Sequence, residues 1–128
     1  MLKKILHIVR TNAIAGAENH IFMMLPALVR LGYNISLLTL TDGKLGQVTE
    51  GYRKKLDEME SAGIQVFEDT VKNKLDFSAI PRMTKLIKKI KPDIVHTHMP
   101  YADLFGAIAA RKAGVPLVIA SRHHDYSF

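Results

Sequence analysis

Cysteine is absent from the 128-residue chain, which excludes disulfides, thiol nucleophiles and cysteine-ligated metal. No apolar run approaches the roughly 20 residues that a transmembrane helix requires. The opening MLKKILHIVR carries two lysines and then an apolar stretch interrupted by His7. That stretch is too short for a signal-peptide core, and no small-residue cleavage site follows it. A cytoplasmic location is therefore expected. The G-x-G-x-x-G fingerprint is missing, which counts against NAD or FAD, and so is the P-loop, which excludes ATP hydrolysis of that type. Internal repeats, low-complexity segments and linkers are lacking as well. Nothing resembles a base-reading module with interleaved aromatics, so nucleic acid is not an expected partner.

What is present is globular. The hydrophobic share is 48%, enough for one ordinary domain spanning residues 1–128. The formal charge of +6 suits an anionic partner such as a nucleotide or an anionic membrane surface.

Strand and helix patterns alternate along the chain. KILHIV (4–9), NISLLTL (34–40), IQVFED (64–69), DIVHTH (93–98) and PLVIAS (116–121) read as strands; the apolar run VPLVIA around the last of them reads as fully buried. Helical stripes fall at 17–32, 48–62, 76–90 and 102–114. Gly32 and Gly63 are placed to end the first two helices, and Pro26 is expected to kink the first. Alternation of this kind predicts an α/β fold, a doubly wound, Rossmann-like parallel sheet in a three-layer αβα sandwich. The predicted strand order is 3-2-1-4-5, and ligands bind where that order reverses, at the carboxyl ends of strands 1 and 4. The segments RTNAIAGAEN, HTHMPYAD and SRHHDYS leave strands 1, 4 and 5 at that rim.

Each segment carries a candidate chemistry beside a plainer reading. Gly16 permits close backbone approach where the next helix begins with its N–H groups exposed, a natural seat for phosphate; Glu18 can equally be a dipole partner in the first turn. His96 and His98 lie two apart on a strand and share a face. With His123 and His124 they could ligate zinc, but buried hydrogen-bonded histidines are common at strand ends and no carboxylate cluster accompanies them, so no metal is expected. Arg122 is a candidate anion clamp beside two imidazoles able to move protons near neutral pH; the plain alternative is a polar surface turn. Arg82, Lys85, Lys88, Lys89 and Lys91 lie opposite the apolar stripe of the helix at 76–91. That face is either simply solvated or a peripheral contact with an anionic membrane.

Taken together, KKILHIVRTNAIAGAEN, LVRLGYNISLLTL and KPDIVHTHMPYADLFGAIAARKAGVPLVIASRHH resemble the amino-terminal part of retaining glycosyltransferases of GT-B architecture, the GT4 family. The resemblance covers nearly the whole chain with the motifs in order. It implies transfer of a sugar from a nucleotide diphospho-sugar to an acceptor hydroxyl, on a glycan or a lipid-linked molecule, with retention of anomeric configuration. It implies no cofactor and no divalent metal. Gly16, Ala17 and Glu18 match the end of the family's GGAE-like loop, which faces donor diphosphate and acceptor, with Ala15 in place of the first glycine. His98 and Arg122 are expected to bind substrate. The family histidine after strand 5, which orients the transferred sugar, corresponds to His123 or His124. Because GT-B enzymes hold the nucleotide mainly in a carboxyl-terminal domain, this chain resembles most of one acceptor-side domain, to be completed by further sequence or by a partner subunit. Alone it is expected to be inactive, and its last strand offers an edge that favours a homodimer. The competing readings are a metal-dependent hydrolase built on His96, His98, His123 and His124, and a non-catalytic binding module of the same topology. Peripheral attachment at the inner membrane face is compatible with the first reading.

Overall fold

A computed structural model describes residues 3–10, 16–41, 50–72, 75–98 and 102–121. The elements in order are β1 (Lys4–Arg10), α1 (Gly16–Arg30), β2 (Asn34–Thr41), α2 (Glu50–Ser61), β3 (Gln65–Thr70), α3 (Ala79–Ile90) and β4 (Ile94–His98). A π-helical turn, Ala102–Gly106, then runs into α4 (Ala107–Lys112) and β5 (Leu117–Ser121). All four strand pairings are parallel and the order is β3-β2-β1-β4-β5, as the alternation predicts.

The sheet is covered on both faces because its central strands are apolar on both. Leu6 and Ile8 of β1 pack with Ile80, Met83 and Ile87 of α3 and with Phe105 and Ala109. Val9, on the opposite pleat, packs with Ile21, Phe22 and Leu25 of α1 and with Leu56 and Met59 of α2.

Three helices end in the same way. Gly32 has φ 100° and Gly63 φ 94°, a left-handed conformation that costs glycine nothing. Gly32 N–H donates to the Val29 carbonyl and Tyr33 N–H to that of Leu28; Gly63 and Ile64 repeat the pattern on Glu60 and Met59. These are Schellman closures, which satisfy carbonyls the helix leaves open. Gly114 closes α4 likewise, its N–H and that of Val115 reaching Arg111 and Ala110. Helix α1 runs unbroken across Pro26.

Three local expectations are corrected. Helix α3 starts at Ala79 rather than 76, because Asp76 is used as a turn acceptor: its carboxylate receives the Lys72 N–H at 2.9 Å and the Ser78 hydroxyl at 2.5 Å. The helix expected over 102–114 opens as a π turn and closes at Lys112. The strand read as fully buried, β5, lies at the sheet edge with Leu117 48% and Ile119 39% exposed. A continuous apolar run cannot distinguish a covered strand from one whose second face is bare.

The π turn touches the sheet through Gly106. A β-carbon there would meet Thr97 Cγ2 at 2.8 Å and Ile8 Cδ1 at 3.2 Å, and both residues are fully buried and β-branched. Gly106→Ala gains up to about 1 kcal/mol of helix propensity, against overpacking of about 1–3 kcal/mol. The expected result is a net loss of about 1–2 kcal/mol, read as a lower urea midpoint at unchanged slope. An unchanged midpoint would show that the turn lifts off the sheet without cost.

Candidate functional site

The strand order reverses at β1. Its neighbour β2 follows it in sequence, whereas β4 reaches its other side only after the chain has built β2 and β3. The register sets Ile5 opposite Ile94, His7 opposite His96 and Val9 opposite His98. Because strand side chains alternate, His7, His96 and His98 share the face that α1 and α2 cover.

The three imidazoles form one cluster. Ring centroids are 5.1 Å apart for His7 and His96, 5.3 Å for His7 and His98, and 4.1 Å for His96 and His98, the last pair stacked at 23°. His7 Nδ1 and His98 Nε2 share a hydrogen bond across 3.0 Å, one nitrogen carrying the proton and the other accepting it. His7 is 2% and His98 1% exposed, while His96 is half-buried. His7 Nε2 is buried with no hydrogen-bond partner among the described residues. Burial away from water, and next the neighbouring His96, push the His7 pKa down to about 3. His7 is therefore a neutral imidazole at physiological pH, with a lone pair to offer.

Of the residues marked from sequence, His98 falls where it was placed, as the last residue of β4 at the switch-point rim. Gly16, Ala17 and Glu18 form the first turn of α1, whose amino end the topology directs to the same rim; their side chains lie outside the described residues. Arg122, His123 and His124 also lie outside them. His7 is the residue the sequence analysis missed as a partner. It stood out only as an interruption of an apolar run, yet its place on the strand predicted to adjoin DIVHTH was the available signal.

The basic helix is divided by the structure. Arg82 turns back onto the sheet: its Nε meets Asp69 Oδ1 at 3.1 Å and its Nη2 donates to the Thr70 carbonyl at 3.0 Å. Lys85 and Lys88 instead join Lys112 of α4 around an open groove floored by Pro81 and Thr84. Among the described residues no helix is long and apolar enough to cross a membrane.

Comparison with known proteins agrees with this fold. A stretch of 48 residues, 38% of the chain, is 48% identical to the Escherichia coli UDP-Gal:alpha-D-GlcNAc-diphosphoundecaprenol alpha-1,3-galactosyltransferase, covering 12% of that protein. The lipopolysaccharide outer core galactosyltransferase WaaB in its apo form superposes with a TM-score of 0.71 at 17% identity, over 94% of this chain and 33% of that one. A Rickettsia africae glycosyltransferase gives 0.63 at 20% identity, over 93% and 29%. The carboxyl-terminal domain of a Pyrococcus furiosus hydrogenase gives 0.60 at 18% identity and 94% coverage of both. At such identities the superpositions speak for the fold alone, which is shared across unrelated functions. The chain spans about a third of the glycosyltransferase structures and about an eighth of the curated relative. Residues 14–127 match the profile of Glycosyltransferase Family 4, and the chain belongs to that family.

Proposed function

We propose that this chain is the acceptor-side, Rossmann-like domain of a retaining glycosyltransferase that uses a nucleotide diphospho-sugar. The observation that carries the reading is the family match over residues 14–127 on a sheet whose switch-point rim holds α1's amino end and His98. In the reaction the bond from the anomeric carbon to the diphosphate oxygen breaks and a bond to the acceptor oxygen forms. The acceptor proton leaves with the nucleoside diphosphate. Amide N–H groups at Gly16, Ala17 and Glu18 would stabilise charge on the departing diphosphate, helped by Arg122. His123 or His124 would hold the transferred sugar, His123 being the better match, and orientation of donor against acceptor would supply the rest. His98 would act from beneath the rim, since it is buried and one of its nitrogens is engaged by His7. No resident cofactor takes part in the transfer.

The donor half of the site belongs to further sequence or to a second subunit, and the bare edge of β5 is where the rest of this domain, or a second copy, would pair. The acceptor is a lipid-linked diphosphate, as in the name of the Escherichia coli relative, with galactose as the first donor sugar to try. The groove at Lys85, Lys88 and Lys112 supports this by offering three exposed cations to anionic headgroups at the inner membrane face.

The test uses the intact gene product with UDP-galactose and an undecaprenyl-diphosphate-linked N-acetylglucosamine acceptor. Transfer with retained anomeric configuration is expected. Failure with every nucleotide sugar tried would overturn the reading, and turnover by residues 1–128 alone would overturn the missing donor half. Lys85→Glu/Lys88→Glu is expected to reduce sedimentation with vesicles containing anionic lipid, leaving transfer to a short water-soluble acceptor unchanged.

A further inference from the structure

The triad His7, His96 and His98 departs from the expectation of no metal. That expectation weighed His96 and His98 with His123 and His124. It rested on how common buried hydrogen-bonded histidines are at strand ends and on the lack of a carboxylate cluster. The register brings another imidazole, His7, across from the neighbouring strand. We infer that His7, His96 and His98 form a binding site for one zinc-class divalent ion, which clamps β1 to β4 at the switch point.

The distances fit. One ring nitrogen from each histidine lies within 4.8 Å of the others. In a tetrahedral site with nitrogens about 2.0–2.1 Å from zinc, the ligand atoms are about 3.3 Å apart. His7 Nδ1 and His98 Nε2 are already 3.0 Å apart. An ion in place of their shared proton needs those two to separate by only a few tenths of an ångström. The widest pair needs to close by at most about 1.5 Å, which ring rotation supplies.

The chemistry fits as well. Three imidazoles and no thiolate suit zinc, and equally nickel or copper, rather than magnesium or calcium, which want oxygen ligands. His7 Nε2 is a buried ring nitrogen without a partner among the described residues, a loss of about 1–3 kcal/mol that native proteins seldom carry without use. The ion would take either Nδ1, already placed beside His98 Nε2, or, once the ring has turned over, Nε2; only the second gives the orphaned nitrogen a partner. An entry path exists too. His96 is half-buried, and its register partner across β4–β5, Ile119, is exposed on the same face. An ion entering there would keep a fourth position for water.

This role is structural; it shares His98 with the transferase reading but does not rest on that reading. The ion is tied to two strands, and among the described residues no carboxylate belongs to the cluster that could act as a base on a bound water.

The experiment is equilibrium dialysis of the full chain, stripped with EDTA, against zinc chloride, with metal measured by mass spectrometry. One zinc per chain with a dissociation constant of about 1 µM or tighter is expected. His96→Gln, at the least buried of the three positions, is expected to weaken binding about 10–100-fold. A His123→Gln/His124→Gln variant is expected to bind as the parent does. In parallel, the histidine ring nitrogen NMR spectrum of the unsubstituted chain reads the same question without any risk of misfolding: zinc is expected to shift His7, His96 and His98 together. Binding weaker than about 100 µM, binding lost with His123 and His124 instead, or shifts confined to His20, His123 and His124 would each overturn the site.

Discussion

Between pH 7 and about pH 4.5 the metal-free chain is expected to lose about 2.5 kcal/mol of stability through His7 alone. The group's pKa falls from 6.5 to about 3 on folding, chiefly by burial. A lowered folded value means that the unfolded chain binds the proton first. The stabilising contribution is therefore complete above pH 6.5 and drains away as the pH falls toward 3, at about 1.4 kcal/mol per unit. For a domain with a total stability of about 5–15 kcal/mol this is a large fraction. The measurement is the urea midpoint from pH 7 to pH 4.5 in EDTA, for the parent and for His7→Gln. The parent's midpoint should fall steeply and the variant's slope should be shallower by His7's share. Parallel curves would mean that His7 is protonated in the fold without penalty, and that water reaches its ring.

Phe105→Ala is expected to cost more, about 3–5 kcal/mol. Phe105 is fully buried where the π turn, α3 and the sheet meet. Its ring also stands edge-on to Phe77, with centroids 5.9 Å apart and planes at 82°, an arrangement worth about 0.5–1.5 kcal/mol beyond area. Phe77 is itself 56% exposed, so this pair seals the rim of the core rather than its middle. The adjacent Leu104 is 46% exposed, and Leu104→Ala is expected to change stability by no more than about 0.5 kcal/mol. Denaturant titration of both variants decides the matter. Similar losses for the two would mean that the turn is held by its backbone and not by Phe105.

The order of the strands was legible because it follows from local signals: alternating periods, left-handed glycines at Gly32 and Gly63, and the rule that such sheets grow outward from β1. What escaped depends on contacts between distant parts of the chain. His7 and His98 are 91 residues apart, and only the register of β1 against β4 makes them neighbours. The late start of α3 turns on Asp76 choosing Lys72 and Ser78 as partners rather than entering the helix. The π turn answers to Gly106 fitting against Thr97 and Ile8, which no helical stripe announces. The exposure of Ile119 depends on what lies over β5, which its composition does not reveal. Around the candidate site, the end of β4 at His98 and the start of α1 near Gly16 were legible, whereas the imidazole cluster needed coordinates.

The strand order also carries a consequence for biosynthesis. Of these five strands the first to leave the ribosome, β1, becomes the centre of the sheet, paired with β2 on one side and β4 on the other. Its second partner is not made until residues 94–98, so one flank of an apolar strand waits while β2 and β3 are made. Parallel pairing across such separations is slow, and an unpaired strand flank is prone to associate with other chains. A ribosome paused before residue 94 would therefore hold a nascent chain whose best binding site for another polypeptide is the very strand that later anchors the fold. Chaperone engagement should peak in that window and fall once β4 is free to dock.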